Sequence, residues 1–161
     1  MNVNIGSLLA SLEARDVLSD DERTALTSAP WRVRTFDAEE EMVAQGSRPT
    51  ECCLLVEGLT GRTIMFEDGR RQITALQIAG DFVDLHSLLL KVMDHNVVAL
   101  TPVKAAFLAH SYIEMLTNTQ PHLWRVLSTL MAVDGAIQRN RIAGLGAVSR
   151  QPTRPSHLRD P

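Results

Sequence analysis

The sequence predicts a mainly β protein with flanking helices, a double-stranded β-helix or jelly roll followed by one long helix. Three observations carry that expectation. From Trp31 to about Leu108 the chain is a series of short apolar or alternating runs separated by glycine-containing turns, the texture of a compact antiparallel domain. Beyond Ser111 the apolar period becomes helical and persists to Gly144. The length, 161 residues at 45% hydrophobic and 22% charged, suits one soluble domain by the rule of ~100–200 residues each.

Element by element, Leu8, Leu9, Leu12 and Val17 recur at near-helical spacing and predict a lead-in helix over 6–17. Ser19-Asp20-Asp21-Glu22 then offers a cap and an acidic first turn for a second helix over roughly 20–28, which must end before Pro30. The strands read as Trp31–Phe36, Glu41–Ala44, Cys52–Val56, Thr60–Phe66, Arg71–Gln77, Val97–Leu100 and Val103–Leu108. Asp68-Gly69 between two strand-like runs is a hairpin signal. With roughly eight short strands, closure into a barrel or jelly roll hides the sheet edges.

From Pro121, Leu123, Val126, Leu127, Leu130, Val133 and Ile137 form an apolar stripe. A helix of about 22 residues, ~33 Å long, exceeds what a small barrel covers. The stripe therefore reads as the seam of a homodimer, against the plainer reading of a helix packed wholly on its own barrel. The domains expected are 1–120 for the roll with its amino-terminal helices, 121–145 for the dimer helix and 146–161 for a Pro-rich, disordered tail.

The net charge of −3 rules out a strongly basic nucleic-acid binder in the total, but five arginines against Asp160 within 139–161 make that segment +4 and the remainder −7. Cys52 and Cys53 are adjacent, cannot build a disulfide framework, and would point to opposite faces of a strand. No apolar run approaches the ~18 residues of a membrane span, and the amino end lacks the basic region of a secretory signal. A cytoplasmic protein without membrane contact is expected.

A helical lead-in, a glycine-punctuated β roll and one long helix, in this order, resemble the sensor half of the CRP/FNR superfamily of bacterial transcription regulators, a cyclic-nucleotide-binding-domain-like fold. The carriers are Glu41-Met-Val-Ala-Gln-Gly46, Leu54-Leu-Val-Glu-Gly58, Glu67-Asp-Gly-Arg-Arg-Gln-Ile73, Gly80-Asp-Phe-Val83, Val97-Val-Ala-Leu-Thr101 and the stretch Trp124 to Gly146. The resemblance implies a phosphate-binding cassette after the Gly-Asp-Phe turn, where backbone amides and a helix amino end meet an anion. Gly80, Asp81, Phe82, Val83, Asp84, Leu85 and His86 then become candidate ligand-binding residues, with His95 and Asn96 beside them. For Gly80 and Asp81 a plain tight turn is an equal reading.

This chain departs from the family pattern. Members that bind cyclic AMP carry a glutamate in the cassette and an Arg-Ser or Arg-Thr pair before the next strand, whereas here Asp84 is the nearest carboxylate and Asp94-His95-Asn96 stands before Val97. Lys91 comes too early to replace the arginine, and a phosphate would meet Asp94 unless His95 is protonated. The sequence predicts that cyclic AMP is not bound in the usual way, and it leaves the effector and any cofactor unassigned. By resemblance to the haem-containing, carbon-monoxide-sensing branch, His86 is a candidate haem ligand, set against a hydrogen-bonded or exposed histidine at a helix start.

Relatives continue past the long helix into a winged helix-turn-helix that reads the major groove. The 16 residues of 146–161 are too few for such a domain, so it is expected to be absent from this chain, and DNA contact is expected only through it. No enzyme is expected. His86, His95, His110 and His122 show no HExxH or other metal spacing, and neither a Gly-x-Ser-x-Gly elbow nor a phosphate-binding loop is present. The expected function is ligand sensing and dimerisation in a regulator. Alternatives are a haem or other small-molecule sensor, and a module of the same fold that only oligomerises.

Overall fold

The structure, a computed structural model, describes residues 3–148, with side chains as far as Leu145; the tail expected to be disordered lies outside the described residues from 149 onward. Helix α1 (Gly6–Glu13) is shorter than the sequence suggests, and Val17 is 84% exposed rather than part of the apolar stripe. Asp16 explains the early stop: its carboxylate accepts the Val17 N–H at 2.9 Å and diverts the chain. Helix α2 (Asp20–Thr27) starts on a capping box in which Ser19 Oγ accepts the Glu22 N–H and Glu22 accepts the Ser19 N–H at 2.8 Å.

Seven strands follow among the described residues: β1 (Arg32–Phe36), β2 (Glu41–Val43), β3 (Glu51–Glu57), β4 (Thr60–Met65), β5 (Arg71–Gln77), β6 (Asn96–Ala99) and β7 (Val103–Ala109). They pair antiparallel in two sheets, ordered β1-β7-β3 and β2-β6-β4-β5. The roughly eight strands read from the sequence become seven plus an isolated bridge between Leu54 and Phe82. The Asp68-Gly69 signal is a hairpin joining β4 and β5, with Gly69 at φ 82° and Met65 opposite Arg71.

Two apolar cores share one sheet. Cys53 and Leu55 of β3, with Val103, Ala105 and Phe107 of β7, face the interior of the roll. Their neighbours Cys52, Leu54, Ala106 and Leu108 face outward, under Leu8, Leu12, Leu26 and the first turns of the last helix. Because side chains alternate along a strand, a sheet covered on both faces needs continuous apolar runs. This is why Cys52 to Leu55 shows no polar alternation, and the two cysteines do sit on opposite faces.

Three more helices follow among the described residues: α3 (Ser87–Leu90), α4 (His110–Thr119) and α5 (Pro121–Val148). At 1.5 Å per residue, the 28 residues of α5 span ~42 Å. Its amino-terminal half packs on its own protomer: Leu123, Val126 and Leu127 are buried, and Leu130 and Met131 lie against the same cluster. Val133 and Ile137 line a cavity against the roll. A second stripe runs beside the first, one residue on. Trp124, Ser128, Met131, Gly135, Gln138, Ile142 and Leu145 follow a strict four-three spacing, and Ile142 and Leu145 are 68% and 63% exposed. No helix among the described residues is long and apolar enough to cross a membrane.

Candidate functional site

A cavity of about 460 Å³ lies between strands β4 and β5, on the face that carries Arg62, Ala75 and Gln77, the segment 80–86, the turn before β6 and the middle of α5. Of the residues singled out in the sequence, Gly80, Asp81, Phe82, Leu85, His86 and His95 line it. Val83, Asp84 and Asn96 stand behind the wall. The Val83 carbonyl accepts from Arg62, Asp84 Oδ1 accepts the Cys53 N–H at 2.7 Å, and Asn96 Oδ1 accepts the Gln45 N–H at 2.7 Å. These three contacts hold the loops together.

Gly80 has a reason of its own. Its φ of 98° is left-handed, and a Cβ there would lie 2.8 Å from the Ser7 carbonyl oxygen, so the backbone it admits closely is that of α1. Asp81 closes the same turn by accepting the Ile78 N–H at 3.0 Å. Burial pushes the Asp84 carboxyl up to about 7, against the opposing pull of the Cys53 N–H and the Arg62 charge.

The residue that organises the cavity is Arg62, in the middle of β4 and 7% exposed. Its Nη1 pairs with Asp134 of α5, while Nε and Nη2 donate to the Val83 carbonyl at 3.3 and 3.2 Å. Gln77, in the orientation that satisfies both ends of its amide, accepts from Arg62 Nε at 2.8 Å and donates to Thr60. Two turns further along α5, Arg141 donates to the Thr74 carbonyl at 3.1 Å. The helix is thus fastened to the roll at two points along one side of the cavity. Sequence reasoning missed Arg62, because a lone charge in a short strand reads as solvent-facing until the helix covering it is placed.

At the other side stand His86, Asp94 and His95. The imidazole centroids are 5.1 Å apart, His95 Nδ1 lies 2.8 Å from Asp94 Oδ1, and His86 Nε2 lies 3.5 Å from the same oxygen. Burial pushes His86 down to about 4, helped by Arg62 and His95, and burial lowers His95 as well. Both rings are therefore neutral at pH 7. Burial alone would raise the Asp94 carboxyl, but His95 and His86 outweigh it and hold the group below its ordinary value. The cavity combines a buried guanidinium, already paired, with two uncharged imidazoles and a carboxylate.

The architecture is shared with solved proteins. A cyclic nucleotide-binding domain from Methylobacillus flagellatus superposes with a TM-score of 0.75 at 16% identity, over 87% of this chain and 83% of that one. The N-terminal domain of a transcriptional regulator from Streptomyces coelicolor does so with a TM-score of 0.62 at 19% identity, over 91% and 96%. The catabolite activator protein of Thermus thermophilus matches with a TM-score of 0.65 at 19% identity, over 86% of this chain and 63% of its own. No curated protein matches the chain by sequence. These likenesses concern fold, whereas residues 33–120 match the sequence pattern described as the cyclic nucleotide-binding domain, and the chain with its roll, cassette-like loop and long helix belongs to that family.

Proposed function

We propose that this chain is the ligand-sensing and dimerisation domain of a CRP/FNR-type transcription regulator, acting in the cytoplasm as a binding protein and not as an enzyme. Its effector is a small organic anion, and cyclic AMP is not held in the usual way. The observation that carries the reading is the Arg62–Asp134 pair, which crosses from the roll to α5 at a cavity of ligand size. An incoming carboxylate or phosphate competes with Asp134 for the guanidinium. Such a ligand shifts the set of α5 only as far as it favours the released arrangement over the paired one. In a regulator carrying a DNA-reading domain beyond the helix, that shift is the output.

The dimer forms between two copies of α5. The seam named from the sequence is taken up within the protomer for Leu123, Val126, Leu127 and much of Leu130, and Met131, Gly135 and Gln138 of the second stripe line the cavity, so the pairing face is the exposed end of that stripe, Ile142 and Leu145. The four-three spacing that leads to these two residues is that of a left-handed coiled coil. Sedimentation of the intact chain and of Ile142→Asp tests the seam: a dimer reduced to a monomer is expected, and a monomeric parent removes it. Calorimetry against cyclic AMP, cyclic GMP, cyclic di-GMP, haem and phenylacetate tests the effector class. Saturable micromolar cyclic AMP binding overturns the ligand reading, and haem retained through gel filtration and lost in His86→Ala replaces it.

A further inference from the structure

We propose that His86, Asp94 and His95 form a site for one divalent transition-metal ion of the Zn²⁺, Co²⁺ or Ni²⁺ class at the edge of the cavity. One donor atom from each residue lies within 4.8 Å of the other two. Two of the separations, 3.5 Å from His86 Nε2 to Asp94 Oδ1 and 2.8 Å from Asp94 Oδ1 to His95 Nδ1, bracket the ~3.4 Å edge of a tetrahedral ion with ~2.1 Å bonds. Small side-chain rotations suffice to close the set. Imidazole and carboxylate together suit borderline ions of this class better than Ca²⁺ or Mg²⁺.

A second observation points to a ligand. His86 Nε2 is buried and has no hydrogen-bond partner, and the same holds for Nε2 of His95, a residue only 6% exposed. Buried ring nitrogens left without partners are costly, and a metal bound to the cluster turns the His86 lone pair from a liability into a bond. The spacing is invisible in the sequence because α3 intervenes: Ser87–Leu90 and the left-handed Lys91 at φ 62° fold the chain back so that residue 86 meets residues 94 and 95. The surrounding charges are Arg62, which opposes a cation, and Asp134, which is paired to it; Asp94 supplies the negative charge next to the ion. Three protein ligands leave the fourth position to water or to an anionic group in the cavity. The inference does not depend on the effector reading.

The test uses the intact chain, stripped with chelator and dialysed against Zn²⁺ or Co²⁺. One ion per chain is expected, with Co²⁺ giving visible absorption of low-symmetry nitrogen–oxygen coordination. Asp94→Asn, a change at an exposed side chain that leaves the fold intact, should weaken binding at least tenfold, as should His86→Asn; His122→Asn, remote from the cavity, should leave it unchanged. Substoichiometric uptake, a thiolate charge-transfer band from Cys52 or Cys53, or binding unaltered in both Asp94→Asn and His86→Asn overturns the proposal.

Discussion

Replacing Asp134 by alanine removes the only carboxylate that pairs with Arg62 among the described residues while leaving the guanidinium in place. Arg62 is 7% exposed and keeps the Val83 carbonyl and Gln77 as acceptors, but neither is charged. Breaking a fully buried pair from one side costs ~3–5 kcal/mol, and an exposed pair is worth ~0–1 kcal/mol. The Asp134 side chain is 38% exposed, which places Asp134→Ala between these limits, at about 2 kcal/mol. For a chain of this size that lowers Tm by roughly 4–8 °C. Urea denaturation should show a lower midpoint with an unchanged slope. The double variant Arg62→Met/Asp134→Ala should recover part of the loss, since no unpaired charge then remains inside. Phosphate or a small carboxylate should raise the Tm of Asp134→Ala more than that of the parent, because the vacated guanidinium binds the anion in the folded state. A loss below about 0.5 kcal/mol, together with no anion effect, would show that Val83 and Gln77 alone satisfy Arg62 and that the pair is no latch.

Three other outcomes are expected. His122 of α5 bonds Glu22 at 2.7 Å and Asp16 at 3.3 Å, and these partners raise its pKa; the stability it adds is complete below ~6.5 and fades as pH rises through the higher folded value. Asp16, lowered chiefly by Arg125, and Glu22, lowered by the Ser19 N–H and His122 against its burial, contribute above ~4 and lose that contribution on acidification. Urea midpoints for His122→Ala should therefore fall less steeply than those of the parent between pH 6 and 8, and parallel curves there would refute the assignment. Gly80→Ala, at φ 98° with Ser7 in the way, should cost about 1–3 kcal/mol and speed amide exchange in α1. On α5, Leu123→Ala should cost about 2–5 kcal/mol because the side chain is fully buried, whereas Ile142→Ala should cost under about 0.5 kcal/mol in the protomer and act on self-association instead.

The strands were legible because their signals are local. Asp68-Gly69 names a hairpin from two residues, and the unbroken Cys52–Leu55 run announces a strand covered on both faces. The helix cap at Ser19 with its acidic first turn is likewise a matter of the four residues Ser19 to Glu22. The site is different, since its chemistry is assembled across long separations: Arg62 meets Asp134 over 72 positions, and His86 reaches Asp94 only because α3 reverses the chain. Candidate residues chosen from the loop alone therefore divide by pleat and turn. Phe82, Leu85 and His86 face the cavity, while Val83 and Asp84, next to them in sequence, support it from behind. The stripe read as a dimer seam shows the same limit. Apolar periodicity establishes that α5 has a buried face but not against what, and a helix with two apolar stripes one residue apart offers the same pattern to its own roll and to a second copy.

That one-residue offset ties the two proposed roles of α5 together. Successive residues of an α-helix are ~100° apart, so Asp134, bound to Arg62, and Gly135, on the second stripe, lie on adjoining faces of the same turn. Arg141 and Ile142 repeat the relation two turns later, the first donating to Thr74 and the second exposed. The two anchors to the roll thereby fix the rotation of the helix and with it the angle at which the second stripe is presented. A ligand that takes Arg62 from Asp134 releases one anchor and leaves the other, so it permits the helix to turn about the Arg141 contact instead of freeing it altogether. Transmission of this kind needs no contact between effector and seam, only a difference in affinity for the two settings of one helix. It also requires that Asp134→Ala shift the dimer equilibrium in the same direction as the effector does.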